Sequence, residues 1–206
     1  MMLVRDIAVR TLECSALLFD MDGTLVDSTA VSERLWRDWA LAQGTDADDV
    51  LAWSHGRRTI DTIGRFLANG DPVIEAGRFE EAELSERDGT VAVAGARQLL
   101  ARLPSDRWAI VTSAGRALAR HRLTLAGLPI PRVLIAAEDV VIGKPDPQGY
   151  LAAAALLGVA PADCIVFEDT FAGHEAAARG GMRSIDRHAV PHAHTLPVLI
   201  RQAMRD

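Results

Sequence analysis

The chain has 206 residues, 49% of them hydrophobic and 24% charged, which is enough for one α/β domain or for a core carrying a smaller insert. A formal net charge of −6 without any basic stripe argues against nucleic acid or an anionic membrane as a partner. Two cysteines, Cys14 and Cys164, are too few for a disulfide framework, and no window approaches the apolar length that spans a bilayer, so the expectation is a protein of the reducing cytoplasm, taken by default as a monomer.

The first residues carry Arg5, Asp6, Arg10 and Glu13 and lack the long apolar stretch of a secretion signal. Four short apolar runs then end in polar residues: ALLFD (16–20), WAIVTS (108–113), VLIAAED (133–139) and CIVFED (164–169). Runs of this kind suit strands of a parallel sheet covered on both faces. Between them, Ala96, Leu99, Leu100 and Leu103 keep helical spacing, as do Tyr150, Ala153, Ala154 and Leu157. Asp146 and Pro147 read as the N-cap and first position of a helix, and Gly127 and Gly158 as helix ends. Alternating strands and helices give a doubly wound α/β core.

About ninety residues separate the first run from the second, far more than one crossover needs. Val31, Leu35, Trp39 and Ala42 mark a helix face there, and further helical patterns follow near 47–53, 58–68 and 73–86. The expected organisation is a core of residues 1–27 and 89–206, with a helical insert over 28–88 lying across the strand ends. A last helix is expected over 196–204.

In a doubly wound sheet, ligands bind at the carboxyl ends of the strands. The first run delivers Asp20 and Asp22, followed by Gly23 and Thr24; the second delivers Thr112 and Ser113; Lys144 follows the third; the fourth ends in Glu168 and Asp169. Asp20, Glu168 and Asp169 are hard oxygen ligands suited to Mg²⁺, which would cancel the repulsion between a carboxylate nucleophile and a phosphate. Lys144 and the Thr112 hydroxyl would hold phosphoryl oxygens, and Ser113 beside Thr112 would contact the substrate. Asp20 would then attack phosphorus, and Asp22 would serve as general acid and base. Lys144 is the single lysine among 22 basic residues, so something other than surface charge keeps it a lysine.

The stretches FDMDGT around Asp20 and Asp22, VTS ending at Ser113, GKPDP around Lys144 and FEDTFAG around Glu168 and Asp169 resemble the four motifs of the haloacid-dehalogenase superfamily of phosphohydrolases. The resemblance runs from about Ala16 to Ile185. It implies a Rossmann-like core, a small helical cap after the first strand, and a metal site to which Asp22 adds its backbone carbonyl. SHGRRTIDTI (54–63) and SDRWAIVTSAG (105–115) resemble the sugar and polyol phosphatases within it, which would turn His55 and Arg58 toward a small phosphorylated sugar or polyol. The bland alternative for these two residues is a solvated helix start beside a Gly56 turn. Trp36, Trp39 and Trp53 are expected to hold the cap together. Two departures are Ala94-Gly95-Ala96, where the family often has Pro-Gly-Ala, and Thr170, where Ser or Ala is usual.

A β-phosphoglucomutase would share all four motifs, but it resembles this chain less at Ser32, where such mutases carry histidine. No lysine lies in the cap for a phosphonatase, and Asp22 argues against a dehalogenase. A silent binding module would be expected to have lost an aspartate or the lysine. His188, His192 and His194 read as a surface loop broken by Pro191, and His121 and His174 as helix-surface residues.

Overall fold

The computed structural model describes residues 14–189; the helix expected over 196–204, with His192 and His194, lies outside them. Strand β1 (Ala16–Phe19) leads through a tight loop into the two-residue strand β2 (Val26–Asp27). Four helices follow: α1 (Thr29–Gln43), α2 (Ala47–Ser54), α3 (Thr59–Phe66) and α4 (Pro72–Ser85). The chain returns through β3 (Val91–Ala92) and then alternates: α5 (Ala96–Leu100), β4 (Trp108–Val111), α6 (Arg116–Leu125), β5 (Val133–Ile135), α7 (Gln148–Leu157), β6 (Cys164–Glu168), α8 (Phe171–Arg179) and β7 (Arg183–Asp186).

Five strands form a parallel sheet in the order β5-β4-β1-β6-β7. Side chains alternate across β1. Leu17 and Phe19 join Leu99, Ile110, Leu118 and Leu123 on the face covered by α5 and α6, while Ala16 and Leu18 join Val166, Tyr150, Ala153 and Ala176 under α7 and α8. Both faces are therefore dry, which is why β1 and β4 are apolar throughout and β6 is apolar up to its terminal Glu168. Losing one such side chain, Ile110→Ala for example, costs about 2–5 kcal/mol.

Strands β2 and β3 pair antiparallel, Val26 with Ala92 and Asp27 with Val91. They clasp the entry and exit of the four-helix insert at one point. The insert has its own apolar cluster of Trp36, Trp39, Val50, Ile63 and Phe79, with Trp36 stacked on Phe79 at 3.9 Å between ring centroids. Caps fix its helix starts. Asp46 accepts from the backbone N–H groups of Asp48 and Asp49, and Asp71 from that of Val73, just ahead of Pro72.

Three details differ from expectation. Strand β7 was missed because Arg183, Ser184 and Asp186 are exposed at the sheet edge, leaving Ile185 as its single inward apolar side chain. Ala42 is exposed, and the buried face of α1 is Val31, Trp36, Trp39 and Ala40. Helix α7 begins at Gln148 with Pro147 in the capping position, while Asp146 Oδ1 accepts from the Gln148 N–H. Among the described residues no helix is long and apolar enough to cross a membrane.

Candidate active site

Because β1 lies between β4 and β6, the residues that follow these three strands meet at one edge of the sheet. Asp20 follows β1, Thr112 follows β4, and Glu168 ends β6 with Asp169 next to it. Carboxylate oxygens of Asp20, Glu168 and Asp169 lie within 4.8 Å of one another, the single such metal-competent group among the described residues. Lys144 enters from the loop before α7, its Nζ donating to Asp20 Oδ1 at 2.5 Å and to Glu168 Oε1 at 2.6 Å.

The turn after β1 leaves no room for a side chain. Gly23 has φ +83°, and a Cβ there would lie 1.9 Å from Asp169 Oδ2. Thr24 Oγ1 donates to Asp169 Oδ1 at 3.1 Å, so the first-strand turn and the Asp169 carboxylate fix one another. Gly173 serves the same purpose for Glu168, whose Oε1 would sit 1.7 Å from an added Cβ. The glycines of DMDGT and FEDTFAG thus make space for carboxylates.

Glu168 is fully buried and accepts five hydrogen bonds. Lys144 Nζ and the Tyr150 hydroxyl bond Oε1; the Asp169 N–H, the Thr170 N–H and the Thr170 hydroxyl bond Oε2. A cation in this cluster would meet Asp20 and Asp169 first, and Glu168 would reach it only by giving up one of these bonds. Thr170, the unusual residue of the fourth motif, earns its place here: its hydroxyl also accepts from the Gly173 N–H and caps α8.

Electrostatics follow from this enclosure. Burial pushes the Asp20 carboxyl well above its ordinary range, and Glu168 and Asp169 add to that push, against the pull of Lys144. Burial alone would lower Lys144, but Asp20 and Glu168 hold it well above its usual value, so it is an ammonium. Burial would also raise Glu168, yet Lys144 and its hydrogen bonds bring it below the ordinary range. Three carboxylates facing one ammonium form an acidic, oxygen-only cage, and its hard donors fit a divalent cation such as Mg²⁺.

Asp22 stands at the mouth of this cage. Its Oδ1 accepts from Ser28 Oγ at 2.7 Å and from Arg122 Nη1 at 2.9 Å, and among the described residues Oδ2 has no bonded partner. Thr112 is buried and accepts from the Ala114 N–H at 3.1 Å. Ser113 Oγ donates to the Gly56 carbonyl at 2.7 Å, joining the core to the insert. The cleft over these groups encloses about 790 Å³ of empty space including its open mouth, and His55, Trp36, Ser32 and Glu83 of the insert line its far wall.

Of the two insert residues proposed from sequence, His55 reaches the cleft and is half exposed, 4.0 Å from Glu33. Arg58 does not line this cleft. Its guanidinium is held by Asp61 at 2.8 Å and donates to the Val140 carbonyl at 3.0 Å, so it clamps the insert to the core loop that carries Lys144. Trp39 and Trp53 pack within the insert, Trp39 donating to Glu75 and Trp53 lying under the guanidinium groups of Arg57 and Arg65, while Trp36 both stacks on Phe79 and lines the cleft. His121 and His174 are half-buried on α6 and α8, and His188 is exposed.

Sequence reading passed over Arg122 and Glu83. Both are charged residues set in otherwise apolar helix faces, Leu118–Ala119–Leu123 on α6 and Ala76–Phe79 on α4, which is the signal that marks them.

The match to haloacid dehalogenase-like hydrolases covers residues 14–181, so the chain belongs to that family. It is an enzyme, and relatives narrow its kind. Hexitol phosphatase A of Escherichia coli (strain K12) is 44% identical over 167 residues, 79% of this chain and 77% of that one. Glycerol-1-phosphate phosphohydrolase 2 of Saccharomyces cerevisiae (strain ATCC 204508 / S288c) is 35% identical over 191 residues, covering 85% and 75%. The crystal structure of a hydrolase from Pseudomonas syringae superposes with a TM-score of 0.74 at 26% identity, covering 84% of each chain.

Proposed function

We propose that this protein hydrolyses the phosphate ester of a small sugar or polyol, through an aspartyl-phosphate on Asp20 and with Mg²⁺ as cofactor. It is a phosphatase, and the observation that carries the finer reading is the cage itself. One buried ammonium, two more carboxylates and a half-free Asp22 surround Asp20 at the floor of an open cleft.

Mg²⁺ held by Asp20, Asp169 and the Asp22 carbonyl, with Glu168 behind, would supply the positive charge that lets a phosphate dianion approach a carboxylate. Asp20 attacks phosphorus and the ester oxygen departs. Lys144 neutralises a phosphoryl oxygen, and Thr112 with the backbone N–H groups after β4 binds another. Asp22 Oδ2 donates the proton that the leaving alcohol needs. Water then attacks the phosphorus of the phospho-aspartate, Asp22 takes that water's proton, and Asp20 is restored. The helices of residues 28–88 act as the cap, with His55 facing the alcohol portion. Arg58 serves to seat that cap.

Phosphate release should be measured on hexitol phosphates, hexose-6-phosphates, 2-deoxyglucose-6-phosphate, pentose phosphates, glycerol-phosphate and β-glucose-1-phosphate, with Mg²⁺ and with chelator. Mg²⁺-dependent release with one ester class ahead supports the reading. Absence of release together with conversion of β-glucose-1-phosphate to the 6-phosphate would show a mutase instead. Ser32, which bonds Arg122 and Glu83, stands where such mutases carry histidine, and this favours hydrolysis.

A further inference from the structure

At the back of the cleft the core and the insert meet through a buried polar cluster that phosphorus chemistry does not require. Arg122 of α6 is 5% exposed. Its Nη1 donates to Asp22 Oδ1, while Nη2 donates to Glu83 Oε1 at 2.7 Å and to Ser32 Oγ at 3.1 Å. Ser32 Oγ in turn donates to Glu83 Oε1 at 3.5 Å. The other carboxylate oxygen, Glu83 Oε2, is buried and has no hydrogen-bond partner among the described residues.

A buried carboxylate oxygen left without a donor is costly, and native structures seldom leave one so. Glu83 lines the same cleft as Asp20 and Asp22, and although Oε2 itself is closed off, a turn of the carboxylate toward the cleft would let a bound molecule supply the missing donor. One guanidinium joins Glu83 to Asp22, the group assigned above to protonate the departing alcohol, so Glu83 is linked to the alcohol side of the proposed reaction. Since Glu83 is already ion-paired with Arg122, the donor that completes it best is neutral. A hydroxyl group is such a donor.

We infer that Glu83 is a specificity-determining residue whose Oε2 accepts a hydrogen bond from a hydroxyl on the leaving alcohol, with Arg122 and Ser32 holding its carboxylate in place. The substrate class is thereby an ester of a polyhydroxylated alcohol rather than of a simple alkyl alcohol. This rests on the phosphatase reading above and adds to it the residue that selects the substrate. A site that hydrogen-bonds a substrate hydroxyl discriminates strongly against the analogue lacking it, because the buried partner is then left unpaired.

The test compares kcat/KM on glycerol-1-phosphate and a hexitol phosphate with that on propyl phosphate and phosphoethanolamine, in the wild type, Glu83→Leu and Glu83→Gln. The wild type should prefer the polyol esters by at least about tenfold over propyl phosphate. Glu83→Leu should lower that ratio at least about tenfold, chiefly through KM, and Glu83→Gln, which keeps the shape and hydrogen-bonding capacity, should restore part of it. A parallel fall on every ester, with the ratio intact, would make Glu83 a structural anchor for Arg122 and overturn the inference. A wild-type preference for phosphoethanolamine would overturn it as well, since the donor would then be a cation. If the wild type releases phosphate from none of these esters, the phosphatase reading itself has failed. Should Glu83→Leu not fold, Glu83→Gln together with Ser32→Ala carries the same ratio test.

Discussion

Lys144 and Glu83 are both buried charged residues, yet they are stabilised in different ways. Lys144 has two carboxylates within hydrogen-bonding distance and remains charged. Glu83 has one guanidinium, and burial raises it from 4.5 to about 7 despite Arg122. The folded state therefore keeps the Glu83 proton to a higher pH than the unfolded chain does. Stability is greatest below about 4.5 on this account and falls as pH rises to about 7, by up to about 3 kcal/mol. Asp20 and Asp169 are raised too and slope the same way. Urea unfolding of the metal-free protein between pH 4.5 and 7.5 should show the fall, and Glu83→Gln should flatten part of it; an unchanged slope would show that Glu83 titrates normally. At the reaction centre, Asp20→Asn should abolish turnover, and Asp22→Asn should lower kcat by about 10²–10⁴-fold with little change in binding of inorganic phosphate. Full activity of Asp20→Asn in a steady-state assay would remove it as the nucleophile.

At the scale of elements, the loop between α2 and α3 is one place where the insert touches the core. Gly56 has φ +75°, and a Cβ there would lie 2.5 Å from Thr170 Oγ1, the same hydroxyl that bonds Glu168. Its carbonyl receives Ser113, and Arg57 and Arg58 donate to the carbonyls of Lys144 and Val140. Gly56→Ala should therefore lift the insert from the strand ends. The expected result is a fall in kcat/KM of at least about tenfold, with the left-handed backbone itself costing about 1–2 kcal/mol. Kinetics and thermal unfolding on one preparation separate the two effects, and loss of stability without loss of kcat/KM would mean that the contact is structural only. The Asp46 cap of α2 supports that loop at a distance, and Asp46→Ala should cost about 1 kcal/mol.

Across the whole molecule, five parallel strands present one acidic edge, and four helices clasped by β2 and β3 lie over it. A cation that binds this edge in the folded state and not in the unfolded chain must raise the melting temperature. The gain is about 2.7 kcal/mol at a hundred times its dissociation constant. Differential scanning calorimetry with and without Mg²⁺ should show this in the wild type and a smaller shift in Asp169→Asn; equal shifts in both would place the cation elsewhere. An insert that covers the cleft should also exclude bulky esters. Phosphoproteins should be turned over far more slowly than small esters, and comparable rates would mean that the insert does not cover the reaction centre.

Much of the fold and of the candidate site's assembly was legible in the amino-acid sequence, because the polar groups stand locally at the ends of apolar runs. Asp20 and Asp22, Thr112 and Ser113, Lys144, and Glu168 and Asp169 each end or follow an apolar run, and a parallel sheet brings such ends together whatever the details. The four helices between β2 and β3 were legible from their spacing. Strand β7 was not, since an exposed edge strand needs little apolar patterning. Three things were decided by tertiary structure alone. Glu168 is saturated by five donors from four separate residues; Arg58 turns to Asp61 and Val140; and Arg122, Glu83, Ser32 and Asp22 converge from positions up to 100 residues apart. Local patterns determine which groups a strand end will offer, but the partner of a buried charge depends on how separate helices pack, and that pairing energy exists only once the chain has folded.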